Sequence, residues 1–224
     1  MAFSSEKKDK KYLISVEGSV GSGKSTLLRE IESQEFPNTR VLWEPDFSKV
    51  DLNGQQYNLL KKLYVNDIKK DDYLAIQLAI CDNLRNYYNR NVTNKKFLIS
   101  DRCLSSCKIF NQMGFNNGQL SNFTKDYVMS HINSQEKSFL DSFSGGIEVY
   151  KLYLDTKPEI CGQRVIKRGR TEELSKSTEF WSSFAETFKE VAFSLDKYDH
   201  VGDKDSIYRK IVELVKIINL REGS

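Results

Sequence analysis

Long apolar runs are missing from this 224-residue chain, and none approaches the roughly 20 residues a membrane helix needs, so no membrane partner is expected. Cysteine is scarce. The four present (Cys81, Cys103, Cys107 and Cys161) are spaced too widely for a zinc knuckle or a secreted disulfide framework, so reduced thiols and a cytoplasmic location are expected. The three prolines, Pro37, Pro45 and Pro158, all fall at the edges of predicted elements. Charge of one sign is not in excess: 34 basic and 31 acidic residues leave a net +3, which gives no reason to expect a nucleic-acid partner. Repeats and low-complexity tracts are absent, and the opening MAFSSEKKDKK lacks the apolar centre of a signal peptide. Residues 1–10 read as a disordered basic tail and residues 11–220 as a single domain, long enough to bury one core.

What is present is alternation. Short runs rich in β-branched and aromatic residues predict strands at Tyr12–Val16, Val41–Trp43, Phe97–Ile99, Val149–Leu154 and Tyr198–Val201. Between them, 3.6-residue periodicity predicts helices at Gly23–Glu32, Gln55–Tyr64, Asp72–Asn89, Leu104–Gln112, Asn122–Leu140, Glu159–Lys167, Thr178–Leu195 and Asp205–Ile218. That order predicts an α/β, doubly wound fold: a five-stranded parallel sheet with helices on both faces. Ligands of such sheets gather beyond the carboxyl ends of the strands, here marked by Glu17, Glu44, Asp101 and Asp155.

After the first strand, Gly18-Ser19-Val20-Gly21-Ser22-Gly23-Lys24-Ser25 fits G-x-x-x-x-G-K-[ST], and a helical pattern beginning Leu27-Leu28-Arg29-Glu30-Ile31 follows it. Glycines let backbone N–H groups converge on phosphate oxygens, and the helix start adds its positive dipole end. Lys24 can bridge the β and γ phosphates, and Ser25 can ligate Mg²⁺. The loop is expected to hold a nucleoside triphosphate. A switch GTPase would also carry N-K-x-D, and Asn94-Lys95-Lys96-Phe97 lacks the aspartate.

The second strand runs into Glu44-Pro45, a carboxylate beside the loop that can accept a proton from an attacking hydroxyl. The third ends in Asp101-Arg102, an acid within reach of a loop-bound Mg²⁺ and a guanidinium for phosphate or carboxylate. Beyond Leu154-Asp155, a helix carries Arg164 and Arg168 on one face, then Arg170-Thr171-Glu172-Glu173, and this reads as an Arg-rich lid over triphosphate. Gln77 interrupts the apolar run Leu74–Cys81, where an amide needs hydrogen-bond partners; a base edge and a satisfied core position both supply them.

Together the ISVEGSVGSGKST loop, Glu44-Pro45, the stretch from Asn53-Gly54 to Tyr64, Gln77, Asp101-Arg102 and YLDTKPEICGQRVIKRGRTEE resemble the deoxyribonucleoside kinase family, which includes the animal deoxynucleoside kinases and, more distantly, herpesviral thymidine kinases. The resemblance runs from about Tyr12 to Leu220 and implies a P-loop kinase that transfers phosphate from MgATP to the 5′-hydroxyl of a deoxyribonucleoside, in salvage of DNA precursors. By it, Glu44 is the base, Arg102 steadies that carboxylate and the transferring phosphoryl, Tyr64 and Glu173 hold the sugar 3′-hydroxyl, and Gln77 reads the base. Ser25 and Asp101 hold the metal, and a homodimer through long helices such as Asn122–Leu140 is implied.

Departures from the family pattern bear on the base. Lys49 stands where a stacking tryptophan is usual, so Phe47 or Trp43 takes that place, and Cys103 replaces the serine after Asp101-Arg102. Leu84 and Cys107, with Ile80 nearby, occupy positions that carry an Arg/Asp pair in members favouring deoxycytidine and purines; this resembles thymidine-accepting and broad-specificity members. Two other readings stand beside this one. A thymidylate-kinase-like enzyme shares the loop and the Asp-Arg pair, but needs an arginine where Trp43 stands to hold the acceptor's phosphate. A non-catalytic P-loop nucleotide-binding protein would have no use for Glu44, Asp101, Arg102 and Arg168 together.

Overall fold

The computed structural model describes residues 10–52, 55–63 and 68–222. Its elements in chain order are β1 (Lys11–Glu17), α1 (Lys24–Ser33), β2 (Thr39–Leu42), β3 (Val50–Leu52), β4 (Gln55–Tyr57), α2 (Leu59–Leu63), α3 (Lys70–Asn91), β5 (Phe97–Asp101), α4 (Ser105–Asn116), α5 (Asn122–Asp141), β6 (Ile147–Leu154), α6 (Pro158–Arg168), α7 (Thr178–Leu195), β7 (His200–Gly202) and α8 (Lys204–Glu222). The expected five-stranded parallel sheet is present, in the order β2-β5-β1-β6-β7. β5 is buried at every position and β1 at all but its first, because strands covered on both faces need apolar side chains pointing both ways.

The alternation along β1 divides the interior. Ile14 and Val16 join Leu27, Leu28 and Ile31 of α1 and Ile207 and Ile211 of α8 on one face. Leu13 joins Leu84 of α3 and Val128 and Ile132 of α5 on the other. With a side-chain period of two, Ser15 and Glu17 therefore share the side of Leu13. A third cluster seats Ile109 and Met113 of α4 against Phe188 and Val191 of α7. α6 crosses α7 closely at Gly162, where an added Cβ would lie 2.6 Å from the Thr178 carbonyl oxygen.

Strand register brings the candidate residues to one edge. Leu42 is opposite Ser100, Val16 is opposite Asp101 and Glu17 is opposite Tyr153, so the chain leaves β2, β5, β1 and β6 on the same side of the sheet. Among the described residues no helix is long and apolar enough to cross a membrane.

One expectation is corrected here. The helix predicted over Gln55–Tyr64 is split: Gln55–Tyr57 pairs antiparallel with Val50–Leu52, and the helix begins only at Leu59. Asn58 Oδ1 accepts the Lys61 N–H at 2.7 Å, an N-cap that fixes the later start. Of residues 1–10, expected as a disordered tail, only Lys10 lies within the described residues; its Nζ pairs with Glu148 at 2.6 Å.

Candidate active site

The phosphate loop leaves β1 through Gly18, Gly21 and Gly23, at φ +147°, +81° and +105°. A side chain at Gly21 would run into the carbonyl of Cys161, so the loop can lie against α6 only with glycine there. Lys24, the first residue of α1, folds back to donate to the carbonyls of Gly18 and Ser19, both at 2.9 Å. Burial, with a further contribution from the Arg102 charge, pushes its pKa down to about 8. Ser19 and Ser22 hold buried hydroxyls without a partner among the described residues.

Glu44 and Arg102 face the loop. Nη1 of Arg102 donates to both oxygens of Glu44, at 2.8 and 2.9 Å, and Nη2 donates to the Gly18 carbonyl at 3.2 Å. Its guanidinium also lies over the rings of Phe110 and Phe188, at 5.6 and 5.9 Å from their centroids. Burial alone would lower the Arg102 pKa, but the charges of Glu44, Asp101 and Glu17 outweigh it and hold the group above its ordinary value. Cys103 is a poor nucleophile, because burial, helped by the Glu17 charge, pushes its thiol up to about 12.

Asp101 Oδ2 accepts from Ser25 Oγ at 3.3 Å, while Oδ1 is buried without a partner among the described residues. Two hard oxygen donors, one of them unsatisfied, fit Mg²⁺, which takes one or two protein ligands and completes its shell with phosphate and water.

The Arg-rich segment expected as a lid is anchored at both ends. Arg164 donates to the carbonyls of Ser22 and Gly21, at 2.9 and 3.5 Å, and Thr156 Oγ1 donates to the same Ser22 oxygen at 2.8 Å. α6 ends at Gly169, in the left-handed region at φ +72°. Arg168 then reaches Glu173 with two hydrogen bonds of 3.2 and 2.5 Å, and Arg170 lies 3.9 Å from the same carboxylate. Trp181 Nε1 holds the Glu173 carbonyl at 3.2 Å, and Asn58 ties neighbouring Glu172 to the start of α2 at 2.7 Å.

These groups surround one cleft of about 700 Å³. Of the sequence candidates, Val20, Gly21, Gly23, Lys24, Ser25, Thr26, Glu44, Gln77, Ile80, Asp101, Arg102, Arg164, Arg168, Arg170 and Glu173 line it. Gln77 is 2% exposed, and its Nε2 has no partner among the described residues. Phe47 and Trp43 both line the cleft, whereas Lys49 is exposed. Trp43 Nε1 leans to Glu32 of α1 at 3.4 Å, and Phe47 packs in the cluster that carries α3.

Leu84 and Cys107 do not line the cleft. Both are buried in the cluster between the sheet, α3 and α5, Leu84 two helical turns beyond Gln77 and so deeper under the sheet. Arg85 turns away to Ser138 of α5 at 2.9 Å and brings no charge to the cleft. Tyr64 lies outside the described residues. Sequence reasoning missed Phe110, which lines the cleft under Arg102, as well as Trp181, which holds Glu173. Phe110 was legible only as an apolar position on α4, and nothing in the spacing told core from cleft.

Residues 14–213 match the deoxynucleoside kinase family. A probable deoxycytidine kinase of Fowlpox virus (strain NVSL) is 28% identical over 160 residues, which is 71% of this chain and 63% of that protein's length. A deoxyadenosine kinase from M. mycoides, solved with dCMP and dCDP bound, is 20% identical, covers 95% of this chain and 100% of its own, and superposes with a TM-score of 0.62, a likeness of fold. Because the family match starts inside β1 and ends inside α8, it takes in every cleft residue described above, and the chain belongs to the deoxynucleoside kinase family.

Proposed function

We propose that the protein transfers the γ-phosphoryl group of ATP to the 5′-hydroxyl of a deoxyribonucleoside, giving the 5′-monophosphate for DNA-precursor salvage. The observation that carries this reading is Arg102, which holds Glu44 on one nitrogen and the Gly18 carbonyl of the phosphate loop on another. It ties a proton acceptor to the loop through one guanidinium, so that a hydroxyl on Glu44 and a terminal phosphate on the loop would meet in the same cleft.

In this reading the nucleoside enters between Glu44, Phe47 and Gln77, and Glu44 takes the 5′-hydroxyl proton as the bond to phosphorus forms. Lys24 leaves the loop carbonyls for phosphate oxygens, and Arg164, Arg168 and Arg170 spread charge from the lid side. Ser25 and Asp101 would hold Mg²⁺, which neutralises phosphate charge when bound. The lid keeps water from the phosphoryl group.

The acceptor range leans to thymidine and other pyrimidines, or is broad. Gln77 offers an amide among Phe47, Leu60, Leu63 and Ile80, and Arg85 points elsewhere. Two relatives bear on the alternatives, one named for deoxycytidine and the other for deoxyadenosine. Trp43, beside Glu44, supports an acceptor without phosphate, because it has no charge to hold one.

The test is label transfer from γ-labelled ATP to the four deoxynucleosides, run beside their four monophosphates. Label on the nucleosides supports the proposal. Label on the monophosphates alone would give the chain a thymidylate-kinase-like function instead.

A further inference from the structure

Arg102 lies in the left-handed region, at φ +67°, a strained conformation that a residue with a side chain keeps only when its surroundings dictate it. The surroundings here are specific. The Arg102 N–H donates to the Val16 carbonyl at 3.1 Å. The Arg102 carbonyl accepts from the Tyr88 hydroxyl at 2.6 Å, and the Cys103 N–H donates to Glu17 Oε1 at 2.9 Å. The last two bonds close on opposite ends of one peptide unit, so its plane cannot turn without breaking one of them.

Both holders are themselves fixed. Tyr88 is wholly buried on α3, about three turns beyond Gln77 and on the same face, with its ring against Phe139 at 5.7 Å between centroids. Glu17 is 1% exposed at the end of β1 and accepts from Ser15 Oγ at 2.7 Å and from Ser106 Oγ of α4. Its charge also helps to keep Arg102 protonated. It does not line the cleft, and among the described residues its hydrogen bonds run to the backbone and hydroxyls beneath Arg102.

We propose that Tyr88 and Glu17 are positioning residues that grip the Arg102–Cys103 peptide from its two ends and thereby aim the Arg102 guanidinium at Glu44 and the phosphate loop. The proposal rests on the reading of Arg102 as part of a phosphoryl-transfer site. The left-handed turn carries the side chain out of the line of β5 and back over Gly18. With the peptide free to turn, the same side chain would relax toward an extended backbone and lose its shared contact with the loop.

Tyr88→Phe removes only the hydroxyl and keeps the ring. The side-chain Nε–Hε resonance of Arg102, assigned by its loss in Arg102→Lys, should move toward the positions of exposed arginines. Turnover should fall about tenfold with both KM values within about twofold, the pattern of a group lost from the transition state alone. With Arg102→Lys already in place, Tyr88→Phe should cost less than about twofold more, since it acts through the missing guanidinium. Glu17→Gln, which keeps an oxygen for the Cys103 N–H, should hold the resonance better than Glu17→Leu. An unmoved Arg102 resonance in Tyr88→Phe, or equal losses in the two backgrounds, overturns the clamp. Absence of transfer to any deoxynucleoside by the unaltered chain would instead sink the functional reading, and the resonance would still decide the clamp.

Discussion

Glu44 and Arg102 meet at a single nitrogen: Nη1 of the arginine serves both carboxylate oxygens, at 2.8 and 2.9 Å, while Nη2 remains on Gly18. An amide at position 44 would still offer one oxygen to that nitrogen, so Glu44→Gln should keep the arginine in place and remove only the capacity to take a proton. Turnover should fall by roughly 10² or more, with ATP affinity within a few-fold. Steady-state kinetics beside an ATP titration measure both, and near-normal turnover would remove Glu44 from the mechanism.

Lys24 carries a second consequence. Its pKa falls to about 8 in the folded protein, from 10.5, with burial as the main cause. Below pH 8 both folded and unfolded chains bear the proton, and the fold carries the whole cost of the buried charge, on the order of 3 kcal/mol before its two loop hydrogen bonds offset part of it. Between pH 8 and 10.5 the unfolded chain binds the extra proton, so this cost fades and stability from this residue rises with pH. Without nucleotide, Lys24→Met should therefore be more stable than the unaltered chain at pH 7, by about 1–3 kcal/mol, and the gap should narrow at pH 10. Transfer should be abolished. Urea midpoints at the two pH values test this, and a gap that widens with pH would contradict it.

The sheet was legible because burial on both faces writes itself as short β-branched runs, and the phosphate loop because its glycines and lysine answer one chemical demand. Tyr198 shows where such reading ends. Its run was placed in the last strand, but its ring packs on Tyr153 and Phe193, and pairing begins at His200. The short hairpin was hidden because Gln55 and Gln56 suit a helix as well as a strand, and only the cap at Asn58 separates the two. Leu84 and Cys107 fall outside the cleft for another reason: the α3 face that presents Gln77 to the cleft carries Leu84 into the core two turns later, Cys107 on α4 joins the same cluster, and periodicity carries no mark for where cleft becomes core. The clamp on Arg102 was invisible because it joins three elements through one peptide bond.

Gln77 is buried with an Nε2 that has no partner among the described residues, a donor that weakens the fold unless something binds there. Gln77→Leu is close in volume and removes the orphaned donor. It should stabilise the protein by about 1 kcal/mol while raising the nucleoside KM and flattening base preference, with ATP affinity unchanged. Thermal unfolding, nucleoside kinetics and an ATP titration give the three readings. Lost stability together with unchanged nucleoside KM would mark Gln77 as a satisfied core residue.

Glu173 is 2% exposed, holds Arg168 through two hydrogen bonds and is fixed through its own carbonyl by Trp181. If this carboxylate also receives the sugar 3′-hydroxyl, a 2′,3′-dideoxynucleoside leaves it short of a partner and should lose about 1–3 kcal/mol in kcat/KM. Glu173→Ala should weaken the natural substrate by a similar amount and hardly change the analogue, whose hydroxyl is already gone. The substitution also frees Arg168, but it does so with either substrate, so that effect cancels when the four kcat/KM values are combined in a cycle. The coupling that remains belongs to the contact between carboxylate and hydroxyl. Equal losses for both substrates would leave no coupling, and Glu173 would then be a partner for Arg168 and not a reader of the sugar.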